Sequence, residues 1–146
     1  MPYRDTASFG KRQEYSVVAE LLKRNFDVYM TLVDDQGIDC VVRLNHEKHL
    51  DVQIKARSKQ AQQWNFLATL DFQIRDNSYL IFYTEQNNCF WVVPSKDVAK
   101  LGITNKSGKN LGKTSLALPK SDKGPKSAKF EKYKNENGFN LLRRAE

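Results

Sequence analysis

The chain has 146 residues, 40% hydrophobic and 11% aromatic, enough for one cored domain, residues 1–146, and too apolar for a disordered one. Two cysteines, Cys40 and Cys89, make neither a disulfide scaffold nor a C-x-x-C metal knuckle. The longest apolar run, residues 79–83, falls far short of the roughly 20 that cross a bilayer, and no basic-then-apolar leader opens the chain, so a cytoplasmic protein with no membrane partner is expected.

The net charge of +7 is lopsided: residues 1–100 hold 13 Lys+Arg and 13 Asp+Glu, residues 101–146 hold 11 and 4. A basic, loop-rich segment, residues 104–146, suits a polyanionic partner, nucleic acid ahead of a membrane. A merely solubilising tail accounts for the charge equally well.

In chain order, residues 8–25 read as an amphipathic helix capped by Ser8 or Thr6, with Val17, Val18, Leu21, Leu22 and Phe26 at steps of three and four. The period then falls to two. Residues 26–32 form a strand, Asp34, Asp35, Gln36 and Gly37 a turn, and residues 38–44 a second strand. Residues 45–49 are a hairpin loop and residues 50–57 a third strand. Residues 58–76 are amide-rich, with a short helix over 68–74. Residues 78–84 form a buried aromatic strand, 85–88 a turn, and 89–93 its hairpin partner, closed by Pro94. Ser95 caps a short helix ending near Leu101 and Gly102. Residues 104–127 read as a long loop with one edge strand at 116–118. Residues 128–137 read as a basic helix stopped by Gly138, with Phe139, Leu141 and Leu142 packing back. The natural packing of these elements is an α/β fold, one central mixed sheet flanked by helices.

Glu14 heads the apolar stripe of the first helix, on the face that turns toward the sheet, whereas Glu20 can pair with Arg24 on the wet face. A carboxylate on the core side needs a cation, a metal or strong donors; partial solvation near the helix start is the plainer account. In the third strand Leu50, Val52 and Ile54 point one way and Asp51, Gln53 and Lys55 the other, as in any half-exposed strand. Asp39, opening the preceding strand after Gly37 and Ile38, would lie beside Gln53 across a hairpin. An acid, an amide oxygen and an ammonium near a core-directed glutamate would make an oxygen-rich pocket suited to Mg²⁺.

Together Glu14, the Gly37-Ile38-Asp39 strand opening and Gln53-Ile54-Lys55 resemble the PD-(D/E)XK nuclease superfamily, with its restriction-endonuclease-like fold. The helix spacing is similar to that of archaeal Holliday junction resolvases, and the Q-x-K variant to some intron-homing members. The resemblance covers roughly residues 10–57, and the later hairpin is compatible with it. It implies a catalytic set of Glu14, Asp39, Gln53 and Lys55. Asp39 would be the principal metal ligand, Gln53 and the Ile54 backbone carbonyl would add oxygens, and Glu14 would bind through water or orient a second ion. Lys55 would position the attacking water. The implied activity is Mg²⁺-dependent endonucleolytic hydrolysis of DNA, with Mn²⁺ able to substitute, RNA as an alternative substrate, and a homodimer compatible with cutting both strands. Gln53 departs from the usual acid and removes one negative charge beside the metal; Asp51, two residues along the same face, is a candidate to compensate.

Lys11, Arg12, Arg57, Lys59 and the lysines of the basic segment are candidate backbone contacts, and Trp64 is the aromatic most expected to be exposed for stacking on bases. Gly112-Lys113-Thr114 lacks both the glycine spacing and the preceding strand of a phosphate-binding loop. His46 and His49 lie in a hairpin loop rather than on a helix face. Two rivals remain: a catalytically silent nucleic-acid-binding module on the same scaffold, and a protein-interaction domain with a basic tail.

Overall fold

A computed structural model describes residues 5–33 and 36–145. Helix α1 (Asp5–Lys23) leads into β1 (Asp27–Met30), β2 (Cys40–Arg43) and β3 (His49–Arg57). These are followed by β4 (Phe66–Leu70), β5 (Ser78–Thr84) and β6 (Cys89–Pro94). Helix α2 (Ser95–Leu101), β7 (Ile103–Thr104), β8 (Thr114–Ala117), α3 (Pro125–Phe130) and α4 (Asn135–Arg144) complete the chain.

The expected central mixed sheet is present, in the order β1-β2-β3-β5-β6. Among the described residues its only parallel pair is β3 with β5, registering Gln53 with Leu80 and Lys55 with Phe82. Such a pair needs a crossover, and here the crossover carries a strand. Where a short helix is expected over 68–74, residues 68–70 belong to β4 and residues 71–74 are irregular; β4 pairs with β8 in a second sheet ordered β4-β8-β7. Leu67 and Leu70 are both buried there, across a register shift that brings residues three apart to the same core, so a bulged strand mimicked helical spacing.

Strand β5 is covered on both faces and its alternation divides two cores. Tyr79 and Ile81 join Val17, Leu21, Val52, Ile54, Phe139 and Leu142 beneath α1 and α4. Leu80 and Phe82 join Trp91, Val98, Leu116, Leu118 and Phe130 on the other side. The apolar continuity of β5 reflects this double covering. Leu22, read into the α1 stripe, is 53% exposed, and the stripe runs through Val17, Val18 and Leu21 to Phe26.

Three terminal assignments change. The first helix already runs through Thr6 and Ser8, so neither is its cap, and Ser8 contributes its carbonyl to Arg12 Nε one turn on. Ser95 is also no cap: its hydroxyl donates to the Arg75 carbonyl at 3.0 Å and accepts the Arg75 N–H at 3.1 Å, tying the β4–β5 connection to α2. The strand near 116–118 is β8, the middle of the second sheet rather than an edge.

The basic segment is correspondingly not a loop-rich tail. It supplies β8, α3 and α4, and Gly138, expected to stop a helix, lies inside α4. Of the turn expected at residues 34–37, Asp34 and Asp35 lie outside the described residues. Among the described residues, no helix is long and apolar enough to cross a membrane.

Candidate active site

Strand β2 stops pairing early. Its first residue, Cys40, registers with Val52, so residues 53–57 of β3 have β5 on one side and a notch on the other. Asp39 stands at that notch. Its N–H donates to the Val52 carbonyl at 2.9 Å, and its side-chain Oδ2 accepts the Ile54 N–H at 2.6 Å, taking the bond the next strand residue would have made. In a strand the N–H and C=O of one residue face the same side, so the Ile54 carbonyl also opens into the notch.

The chain reaches Asp39 through a tight connection. Thr31 Oγ1 donates to the Ile38 carbonyl at 2.8 Å, and Gly37 adopts φ +72°, a left-handed conformation that suits glycine. A β-carbon there would lie 3.6 Å from the Gln53 amide, so Gly37 closes over Gln53. The Gln53 amide nitrogen donates to the Asp71 carbonyl at 3.3 Å, which turns its oxygen away from that carbonyl. Lys55, two residues on, is exposed on the same face.

Glu14 comes from the α1 side of the sheet. Lys11 Nζ donates to its Oε2 at 2.9 Å, with the glutamate side chain 22% exposed and the lysine 62%. This hydrogen bond and the Glu14 charge hold the Lys11 ammonium above its ordinary range, and Asp39 adds to the shift. Burial pushes the Cys40 thiol up to about 12, reinforced by the charges of Asp39 and then Glu14. The Lys11 ammonium and the Cys40 thiol thus each feel the charges of both acids. Gln53 and Lys55 project from the face of β3 opposite Val52 and Ile54, on the register of Leu80 and Phe82.

Other expected residues are placed differently. Asp51 is not available to stand in for the missing acid, because Arg75 lies 3.6 Å from its carboxylate. Arg12 stacks over Phe9, and Arg57 donates to the Gln63 carbonyl at 2.9 Å. Lys59 keeps an exposed side chain, whereas Trp64 is partly buried rather than exposed. Thr114 of the Gly-Lys-Thr run begins a strand, not the helix that a phosphate-binding loop opens. Cys40 and Cys89 are both buried and free.

Sequence reasoning missed Glu85, in the turn after β5. Its carboxylate accepts Gln13 Nε2 at 3.5 Å and the Lys59 N–H at 3.1 Å, joining α1 beside Glu14 to the chain just beyond β3. Its position after a strand of unbroken apolarity reads as an ordinary turn, and only the parallel β3–β5 pairing brings it to the end where Glu14 and Lys55 lie.

The donor set suits a hard divalent cation. It comprises two carboxylates, an amide oxygen and a strand carbonyl, with no sulfur or imidazole. Among the described residues no group of three His, Cys, Asp or Glu gathers, so such a site would depend on the Gln53 and Ile54 oxygens.

No family model matches the chain, and no curated protein matches it in sequence. Among solved structures it is similar to that of a bacterial homing endonuclease, I-Ssp6803I, at a TM-score of 0.63 and 19% identity, over 92% of this chain and 88% of that one. The chain therefore has an endonuclease-like α/β fold.

Proposed function

We propose that this protein is a divalent-cation-dependent endonuclease of PD-(D/E)XK type that hydrolyses DNA phosphodiesters. The observation that carries the reading is the Asp39 carboxylate fastened to the Ile54 N–H where β2 leaves β3, one residue before Lys55. The similarity of fold to a homing endonuclease supports it.

Asp39, the Gln53 amide oxygen and the Ile54 carbonyl would hold Mg²⁺ or Mn²⁺, with Glu14 contributing directly or through water. The bound cation would neutralise phosphate charge and lower the pKa of a coordinated water. Lys55 would orient the attacking water and balance the charge that develops on the scissile phosphate. Glu85 would hold the Glu14-bearing helix in place relative to β3. Arg12, Lys59 and the exposed lysines between 106 and 132 would track the DNA backbone.

Incubation with linear, branched and single-stranded DNA in Mg²⁺ or Mn²⁺ tests the proposal. Lys55→Ala and Asp39→Ala are each expected to abolish cleavage with the fold retained by circular dichroism. Full cleavage by either variant eliminates the assignment.

Gln53 favours one second reading. A neutral amide in place of an acid weakens cation binding, and a non-catalytic DNA-binding module on this scaffold would bind DNA with a steep salt dependence and cut none of it.

A further inference from the structure

Strand register gathers the polar side chains of β1, β2 and β3 on one face. Arg43 stands between Asp27 and His49, and Val41 between Tyr29 and Asp51. Gln53 and Lys55 continue that face along β3, opposite Leu50, Val52 and Ile54 in the core. Over β5 and β6 the face is covered by the second sheet, whereas over β1 and β2 it is open, with Arg43 and His49 exposed. A duplex whose phosphate meets Lys55 approaches from this side, and its flanking base pairs fall over the open strands. Arg43 is held ready there. Its Nε donates to the Asn45 carbonyl at 3.1 Å and its Nη2 to His46 Nδ1 at 3.3 Å, and among the described residues no bond engages Nη1. The hairpin tip behind it is closed by the Asn45 side-chain oxygen, which accepts the Glu47 and Lys48 N–H groups at 2.8 and 2.9 Å. Beside Arg43 opens a cleft of about 420 Å³, in which Arg43 and Lys48 outnumber Glu47. Of the other acids on this face, Asp51 is paired with Arg75 and Asp27 accepts the Tyr29 hydroxyl.

We propose that the β2–β3 hairpin enters the major groove of the duplex and that Arg43 reads a guanine there. The inference rests on the nuclease reading and names what makes such a nuclease selective. The major groove admits a two-stranded β-ribbon, and a guanidinium donating two N–H groups side by side matches the O6 and N7 acceptors of guanine. The bonds to Asn45 and His46 occupy the Nε side of Arg43, so its end-on pair, Nη1 with the second Nη2 proton, stays available. Holding the side chain beforehand also lowers the entropy lost when it binds. His49, directly across the ladder from Arg43, is placed to meet the neighbouring base pair. Gln53 lies four positions beyond His49 on β3. That is about 13 Å along the strand, so the guanine lies roughly four base steps from the scissile phosphate.

Cleavage of a randomised duplex library by the full chain in Mg²⁺, with the cut ends sequenced, tests this. The unsubstituted protein is expected to favour guanine about tenfold over other bases at one position, about three to six base pairs from the cut. Arg43→Lys keeps the charge but not the paired donors, and Arg43→Ala keeps neither; both are expected to cut with that preference reduced to less than about twofold. A preference intact in both variants, or none in the unsubstituted protein, overturns the reading of guanine by Arg43 and leaves the nuclease standing. A uniform loss of rate in Arg43→Ala with the preference intact makes Arg43 a phosphate contact and overturns it equally. A library left uncut by the unsubstituted protein overturns the nuclease and the inference together.

Discussion

One carboxylate oxygen of Asp39 accepts the Ile54 N–H at 2.6 Å, two positions beyond the last β2–β3 pair, Cys40 with Val52. The bond satisfies a ladder donor that β2 abandons and aims the acid into the notch. A hydrogen bond to a charged group contributes about 1.5–3 kcal/mol.

Asp39→Ala and Asp39→Asn therefore separate stability from cation binding. The alanine variant loses both acceptor and charge, and is expected to be destabilised by about 1–2 kcal/mol and to bind no Ca²⁺. The asparagine variant keeps a carbonyl for the Ile54 N–H, so it should retain most of its stability while also losing Ca²⁺ binding. Denaturant titration and calorimetry on the pair check this. An asparagine variant as unstable as the alanine one would show that geometry at Asp39 is not set by this bond.

Glu85 is argued to act through its neighbours, so its test must distinguish positioning from contact with substrate. Glu85→Ala releases both Gln13 and the Lys59 N–H and lets α1 drift from the end of β3. Small misplacements of reacting groups are costly, and a fall of about tenfold in kcat with little change in KM is expected. Glu85→Gln keeps one acceptor oxygen, enough for the Lys59 N–H but not also for Gln13 Nε2 on the second oxygen, and should recover part of the rate. A loss confined to KM, or no rescue by glutamine, would remove Glu85 from a positioning role.

Cys40 gives a pH dependence with a definite sign. Burial raises its thiol from 9.0 to about 12 in the folded protein, with Asp39 and Glu14 adding to the effect. In the unfolded chain the thiol ionises near its ordinary value. Between those two values the folded state holds the proton and the unfolded state releases it, so stability falls as pH rises. The group contributes no slope below that window. Its maximum contribution is about 1.4 kcal/mol per pH unit. Cys40→Ala, compared with the unsubstituted protein by urea denaturation across the window, should show a shallower alkaline decline. Identical slopes would mean the thiol titrates normally in the folded state.

What the sequence made legible follows from how local each signal is. Strands β3, β5 and β6 could be read nearly residue for residue, because alternation and β-branched or aromatic composition are properties of a few neighbouring positions. Asp39 beside the Gln53–Lys55 strand was legible for the same reason, since a hairpin register links them. Strand β4 was not, because its register shift gives Leu67 and Leu70 a helix-like spacing and its partner β8 lies far along the chain. The pairing of Asp51 with Arg75 and the bridging by Glu85 were equally hidden: both depend on the crossover returning a distant segment to β3. The basic segment misled because charge on exposed positions hides the burial of Leu116, Leu118, Phe130 and Tyr133, whereas Phe139 and Leu142, read as packing back, are buried as expected.

Gly138 offers the sharpest test of that last correction. It lies inside α4, where a β-carbon would stand 2.1 Å from the Tyr133 carbonyl oxygen and 3.0 Å from Val92 Cβ. The first obstacle is backbone, so no rotamer change relieves it, and α4 would have to lift from β6, taking Phe139 and Leu142 out of their core. Helix propensity alone favours alanine over glycine by about 1 kcal/mol. Overpacking against a fixed backbone costs more, about 2–3 kcal/mol here, so the net change is a loss. Gly138→Ala is expected to lower Tm by several degrees. At a glycine that merely stopped the helix, alanine would lose about 1–2 kcal/mol to the left-handed backbone alone, with Phe139 and Leu142 left in their core. Because α4 packs on β6, away from the notch at Asp39, the variant's Ca²⁺ affinity below its melting range should match that of the unsubstituted protein; a change there would mean that α4 shapes the cation site.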